Sequence, residues 1–198
     1  MTTGRIQALA DGIFAIAATL LVLELPIPRG SEDLAGDLLH DWPAYAAYVV
    51  SFVTIAIVWI NHHAQMSCVE EADRGLLELV LVMLLFVAVV PWPTGLLAEY
   101  LREGDQGTVA AVIYGLVMAA LAGSFTATWW YLGRHRELLK PGVAERLPVA
   151  LRRSAVGPAI YLVGVLLALV APVAAFAVFA LAAVFFALTG RRRQAAST

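Results

Sequence analysis

One carboxylate interrupts the first long apolar run of the sequence. The run reads RIQALADGIFAIAATLLVLELPIP over residues 5–28, and it places Asp11 among apolar neighbours, six residues after Arg5. A carboxylate within a bilayer is costly, and it usually marks a function or a dedicated partner. Asp11 is therefore the first candidate for a functional residue.

A second group of polar residues ends the next apolar run, in the stretch VWINHH at residues 58–63. Tryptophan donates through its indole N–H, and histidine can donate through a ring nitrogen. Because consecutive spans run in opposite directions, this stretch reaches about the depth of Asp11. We expect a structural network joining the two helices, with Asp11 as the acceptor. Its predicted members are Arg5, Asp11, Trp59, Asn61, His62 and His63.

The same residues do not make a metal or enzyme site. Adjacent histidines on a helix point about 100° apart, and no further cysteine, histidine or carboxylate stands at zinc-like spacing. No nucleophile has an adjacent base, so the sequence predicts no enzymatic activity. It also predicts no cofactor and no nucleic-acid partner. A proton-coupled secondary transporter, with Asp11 and a histidine as the relay, remains an alternative.

The first helix carries an aliphatic stripe. At about 100° per residue, Ile16, Leu20 and Leu23 fall on one side of the helix, together with the hydroxyl of Thr19. A pore lining and a lipid-facing surface would both show this pattern.

Asp11 falls on another face, about 140° around the helix from the stripe. Ala15 and Ala18 flank it. Because small residues let neighbouring helices approach closely, we expect Asp11 to face packed protein.

The elements that must position these residues are membrane helices. The chain has 198 residues, of which 61% are hydrophobic, and its mean hydropathy is +0.82. This composition is too apolar for an ordinary soluble domain. Runs of about 20 apolar residues predict an all-α, polytopic fold in one domain over residues 1–198. The six predicted spans are 5–27, 42–63, 75–97, 108–132, 150–170 and 173–189.

Proline is expected to shape two parts of the chain. The stretch PWPT at residues 91–94 is expected to end or bend the third span, and a turn near Pro172 separates the fifth span from the sixth.

Positive charge predicts the orientation of the spans. With six spans both termini share one side, and eleven of the thirteen Lys and Arg residues lie there, including Arg191–Arg193; Arg29 and Arg102 lie opposite. Cytoplasmic loops carry this excess, so both termini are predicted to be cytoplasmic.

The long basic connection between the fourth and fifth spans supplies six of these eleven charges. Its simplest role is to set topology, and contact with anionic lipid headgroups is a secondary possibility. Its cations are Arg134, Arg136, Lys140, Arg146, Arg152 and Arg153.

Several stretches together resemble the prokaryotic branch of the transmembrane protein 175 family, whose best-known member is an endolysosomal potassium channel. They are RIQALADG, IFAIAATLLVLEL, WINHH and PWPTGLLAEY, in this order. The signature of the family is an arginine, three residues, then Phe-Ser-Asp. Arg5 and Asp11 match it, whereas Leu9 and Ala10 replace the phenylalanine and serine.

The resemblance implies a homotetramer of six-helix subunits whose four first helices surround a central pore. Ile16, Leu20 and Leu23 would match the hydrophobic constriction layers of the family, and Thr19 the hydroxyl layer linked with potassium preference. Rings of aliphatic side chains can gate by dewetting, and threonine oxygens could replace part of the hydration shell of a potassium ion at Thr19.

The expected function is a potassium-preferring cation channel that conducts passively. Its expected partners are potassium ions, other copies of the chain and membrane lipids, and its expected location is the cell inner (plasma) membrane. Transporters usually place substrate groups on broken helices near the membrane midplane. The middle of this chain offers few polar residues, which favours a channel.

Overall fold

The computed structural model describes the backbone of residues 3–194 and the side chains of residues 3–188. Within this part all regular structure is helical, apart from one isolated bridge between Val69 and Leu139. The helices are α1 (Thr3–Leu20), α2 (Leu34–His40), α3 (Trp42–Met66), α4 (Arg74–Val89), α5 (Pro91–Tyr100), α6 (Asp105–Arg134), α7 (Leu147–Ser154), α8 (Val156–Ala168) and α9 (Pro172–Gln194).

The helices confirm the all-α, polytopic prediction. Five helical stretches in the described part are long and apolar enough to cross a membrane, and a sixth apolar helix over Pro172–Leu188 is shorter. The side chains of Arg191–Arg193, which entered the charge argument, lie outside the described ones.

The helices differ from the predicted spans most clearly at the end of the first span and at the start of the fifth. The first span ends as a 3-10 turn at Leu21–Glu24, followed by an extended chain at residue 25. The connection after it contains the short helix α2, whose first turn is capped by the Asp33 carboxylate. The fifth span begins earlier than predicted, with α7, and breaks at Ala155 before α8.

The third predicted span is two helices, α4 and α5, that meet at Val90. Pro91 and Pro93 cannot donate backbone hydrogen bonds, so the helical ladder is interrupted there. The Thr94 hydroxyl donates to the carbonyl of Val90 at 2.8 Å and bridges the break.

Helix α6 lies at the centre of the bundle and packs against α4, α5, α8 and α9. Its Tyr114 is fully buried, and the Tyr114 ring lies 5.4 Å from the ring of Phe179 on α9. The same Phe179 side chain occupies the space that a Cβ at Gly115 or Gly164 would take. These two glycines therefore let three helices meet around one aromatic side chain.

Candidate functional site

Helix α1 has one face packed inside the chain. This face lies against α3 and α4, and each of its members is at most 3% exposed. The members recur every three or four residues, which is the spacing of one helix face. They are Ile6, Ala10, Phe14, Ala17 and Leu21.

The other face of α1 is exposed in the subunit, and it carries the predicted stripe. Ile16 is 60% exposed, Leu20 is 42% exposed and Leu23 is 74% exposed. Thr19 is exposed between them. We call these four residues the free stripe. The structure therefore leaves the free stripe available to line a shared surface or to contact lipid.

The Thr19 hydroxyl donates its proton to the Ile16 carbonyl of its own helix, at 2.9 Å. A hydroxyl has one proton and two acceptor lone pairs. Because the proton is directed back at the helix, the oxygen of Thr19 keeps acceptor capacity for another group. Threonine at this position can therefore present an oxygen to a cation.

Asp11 is joined to α3 by one hydrogen bond. The indole Nε1 of Trp59 donates to Asp11 Oδ1 at 2.7 Å. Asp11 is exposed, as is Ala15, and Ala18 is half-buried. The prediction that Asp11 and the small residues face packed protein is thus wrong within one chain. The packed face is the bulkier one described above, because Phe14 and its neighbours fill the groove between α3 and α4.

The two histidines of the predicted network do not form a hydrogen bond with Asp11 in the described residues. His62 is 2% exposed, and its ring lies 6.0 Å from that of Phe14. Neither ring nitrogen of His62 has a hydrogen-bond partner among the described residues. His63 is exposed, and its ring lies 6.5 Å from the ring of Trp59.

Arg5 and Asn61 are also exposed. In the described part of one chain, neither forms a hydrogen bond or an ion pair with Asp11. The structure therefore brings Asp11 and Trp59 together, adds His63 through a ring contact, and leaves Arg5 and Asn61 apart from them.

A buried hydroxyl chain was missed by the sequence analysis. Ser51 Oγ lies 2.7 Å from Thr94 Oγ1 and 3.1 Å from the Tyr114 hydroxyl. Because the Thr94 proton already goes to the Val90 carbonyl, Ser51 must donate to Thr94, and Tyr114 must donate to Ser51. This chain joins α3, α5 and α6 behind α1. Its one sequence signal is the presence of hydroxyl residues within apolar spans.

A charged cleft of about 730 Å³ lies at the end of α1 opposite Asp11. Glu24 is half-buried there, and its carboxylate packs against Gly95 of α5, where a Cβ would overlap it. The Arg102 guanidinium donates to the His40 carbonyl at 2.9 Å across the same cleft. Further carboxylates come from Asp41, Glu99 and Glu103. The free stripe therefore ends beside an acidic rim.

Comparison with known proteins gives one consistent answer. The family model described as endosomal/lysosomal potassium channel TMEM175 matches residues 5–91, which include the free stripe, Asp11 and Trp59. A potassium channel of Chamaesiphon minutus is 36% identical over 191 residues, which are 94% of this chain and 94% of the relative. The chain belongs to the TMEM175 family. It is a multi-pass membrane protein.

A second relative and a solved structure agree with this assignment to the TMEM175 family. A potassium channel of Streptomyces collinus is 51% identical over 145 residues, covering 71% of this chain and 69% of the relative. The crystal structure of a lysosomal potassium-selective channel TMEM175 homologue from Chamaesiphon minutus superposes with a TM-score of 0.85. It is 35% identical and covers 94% of this chain and 97% of that one. The predicted family is thereby confirmed.

Proposed function

We propose that the protein is a potassium-preferring cation channel that conducts passively, as the names of its TMEM175 relatives suggest. In this proposal four copies assemble as a homotetramer, and their α1 helices surround one central pore. Ile16, Leu20 and Leu23 form the hydrophobic constriction, and Thr19 holds potassium and sets the ion preference.

One observation carries the proposal: the opposite exposure of the two faces of α1. The packed face fastens α1 to α3 and α4, so the free stripe stays outside the subunit. A single helix cannot enclose a pathway for ions. Several copies of α1 must therefore surround the pathway. Facing rings of aliphatic side chains make a constriction that gates by dewetting.

The hydrogen bond between Asp11 and Trp59 supports a positioning role for the predicted network. It ties the first half of α1 to α3 at 2.7 Å, beyond the residues of the packed face. Because Asp11 and Trp59 are exposed in the subunit, this hydrogen bond is worth about 1 kcal/mol. The proposed role of Asp11 is to hold the angle of α1, and with it the pore diameter.

The arrangement of the histidines favours the channel over a proton-coupled carrier. A proton relay needs successive hydrogen-bonded groups, yet His62 has no such partner among the described residues. The buried hydroxyl chain ends on a backbone carbonyl and does not lead to Asp11. A carrier would also need substrate-binding groups near the membrane midplane, and the middle of this chain offers few polar residues.

The proposed orientation follows from the loops. The excess of Lys and Arg supports cytoplasmic termini, and the potassium channels of bacterial relatives support a location in the plasma membrane. Large exposed apolar side chains such as Leu166 on α8 and Leu181 on α9 would contact lipid hydrocarbon outside the tetramer. Lipids are therefore among the proposed partners.

The test is potassium and sodium flux from liposomes that contain the purified protein. Ile16→Ala and Leu20→Ala should raise cation flux, because a smaller side chain widens and wets the constriction. Thr19→Val keeps the side-chain size but removes the hydroxyl, so the preference for potassium over sodium should fall. Leu166→Ala is the matched control, because Leu166 is as exposed as the stripe but lies on another helix.

The proposal fails if parent liposomes show no potassium flux above protein-free liposomes. It also fails if the three stripe variants match the parent in flux and ion preference, or if Leu166→Ala changes them equally. Mass measurement in mild detergent should give a tetramer, and a monomer that still conducts would overturn the assembly.

A further inference from the structure

A second cleft lies at the end of the bundle where α3 and α6 finish. Its volume is about 440 Å³, within the range of about 300–1,000 Å³ that small-molecule sites occupy. Its wall is apolar, and it has a single charged lining residue, Arg146, just before α7. Other lining residues are Ala64, Trp129, Val143, Leu147 and Ala150. We call this the α7 cleft.

The mouth of the α7 cleft lies in a strongly basic segment. The segment from Arg134 to Arg153 has six cations and two carboxylates, Glu137 and Glu145. All six cations are exposed. In the described residues none of the six cations forms an ion pair with a carboxylate. Glu137 lies against His135, at 3.1 Å. The positive charge is therefore available to a negatively charged partner.

The tryptophans place this segment at the level of lipid headgroups. Trp129 lines the α7 cleft, and the Arg134 guanidinium lies over the Trp130 ring, 4.3 Å from its centroid. Tryptophan is enriched at the membrane–water interface, where one end of its ring is apolar and the other is hydrated. The segment also holds most of the charge expected on the cytoplasmic side, where anionic lipids attract basic groups.

We propose that the α7 cleft binds one anionic phospholipid, with the headgroup phosphate at Arg146 and an acyl chain along Trp129 and Leu147. An apolar wall beside one arginine suits a lipid that has both parts. A free phosphate ion would not fill the apolar part of the cleft. A neutral lipid would not neutralise the positive charge of the surrounding side chains. The inference shares with the proposed channel only the membrane orientation, and it does not depend on conduction.

Native mass spectrometry of the full-length protein tests the proposal. Delipidated protein is mixed with equal amounts of phosphatidylglycerol and phosphatidylcholine, and the bound copies of each are counted. The parent should retain phosphatidylglycerol several-fold better than phosphatidylcholine, and Arg146→Gln should lose most of that preference. Ala150→Phe keeps every charge but fills the apolar part of the cleft, so it should also reduce retention.

Two matched variants separate a defined site from general attraction. Arg152→Gln removes a neighbouring cation that does not line the cleft, and Arg29→Gln removes one from a different connection. Both should retain phosphatidylglycerol nearly as the parent does. If Arg152→Gln loses as much as Arg146→Gln, retention comes from diffuse charge, and the defined site is wrong.

Two other results would overturn the proposal. Equal retention of the two lipids by the parent would remove the requirement for an anionic headgroup. Displacement of phosphatidylglycerol by millimolar inorganic phosphate, with no effect of Ala150→Phe, would identify a phosphate site without an acyl chain. Because these measurements use protein in detergent, a failed flux assay would not affect them.

Discussion

The two faces of α1 are chemically similar but have opposite environments. Phe14 and Leu21 on the packed face are at most 3% exposed, whereas Ile16 and Leu23 on the free stripe are at least 60% exposed. Apart from Thr19, the side chains of both faces are aliphatic or aromatic, so hydrophobicity alone does not decide which face is packed. The difference comes from shape, because Phe14 and its alanine neighbours fit between α3 and α4.

This difference shows how one apolar face of a membrane helix can be packed inside a subunit while another stays exposed. In lipid, apolar side chains gain little from leaving the solvent, and helices associate through close packing instead. A face that packs poorly inside the subunit is then free to meet other copies.

The largest effect is expected from truncating the packed face. Phe14→Ala leaves a cavity beside His62, and buried phenylalanine truncations cost about 3–5 kcal/mol in soluble proteins. We expect a clear fall in the melting temperature in detergent. Ile16→Ala is the control on the opposite face. The melting temperature of this variant should stay close to that of the parent. Equal losses in the two variants would mean that the faces do not differ.

A matched pair of threonines extends the comparison from apolar to polar groups. Thr94→Val removes the acceptor of Ser51 inside the bundle, and an unsatisfied buried hydroxyl costs about 1–3 kcal/mol. Thr19→Val removes a hydroxyl from the free stripe and should leave the melting temperature unchanged while changing ion preference. A stability loss at Thr19 that equals the loss at Thr94 would contradict the placement of the two groups.

A smaller effect is expected where α1 is tied to α3. Trp59→Phe removes the indole donor to Asp11, and the exposure of Asp11 limits the expected loss to about 1 kcal/mol. Trp42→Phe is a close control, because Trp42 and Trp59 are 43% and 42% exposed.

The partner of Trp59 can be tested in the same series. Asp11→Ala combined with Trp59→Phe should cost less than the sum of the single changes, since both remove one hydrogen bond. Asp11→Asn keeps an acceptor and should be milder than Asp11→Ala. Strict additivity in the double variant would mean that the two side chains do not interact.

The smallest effect concerns the start of α4, which supports the packed face. Burial acts to raise the pKa of Asp73, but the Tyr131 hydroxyl at 2.6 Å and the Leu76 N–H at 2.8 Å outweigh it and lower this pKa below its ordinary value of 3.8. A lowered carboxyl pKa stabilises the folded state above the unfolded value and loses this contribution as pH falls through the folded one.

The parent should therefore lose thermal stability as pH falls below about 3.8. Asp73→Asn should have a flatter profile there, because it has no carboxylate to protonate. Tyr131→Phe should lose less stability over this range than the parent, since without that donor the folded pKa of Asp73 is no longer held as far below the unfolded one. If the melting temperature of all three proteins depends on pH in the same way, Asp73 does not contribute to the pH dependence.

The sequence predicted the spans and the stripe but not what lies behind α1. Spans follow from composition, and the positions of Ile16, Leu20 and Leu23 follow from helical periodicity alone. Within one subunit the packed face of α1 carries Phe14, whereas Asp11 and Ala15 are exposed. The sequence did not predict this choice, because both faces are largely apolar and periodicity does not rank them. The contact of Ser51 with Tyr114 joins residues 63 positions apart, which periodicity cannot reveal.

The break at Val90 was predicted from Pro91 and Pro93, because proline acts on its own backbone. The contact of the Thr94 hydroxyl with Ser51 of α3 could not be predicted, since it depends on a neighbouring helix. Local backbone chemistry was thus readable from the sequence, and so was one contact between helices, Trp59 with Asp11. The contacts of Ser51 with Thr94 and Tyr114 were not.

Cysteine accessibility tests the central claim most directly. Cys68 is the one cysteine of the sequence, so Cys68→Ser gives a background for single cysteines. Leu23→Cys, on the free stripe, is compared with Leu166→Cys on α8; the parent side chains are 74% and 67% exposed. A charged, membrane-impermeant methanethiosulfonate reagent is added on both sides of liposomes while potassium flux is recorded. We predict fast modification and block of flux at position 23, with neither at position 166. Equal resistance of both positions, with full flux, would contradict a pore lined by α1.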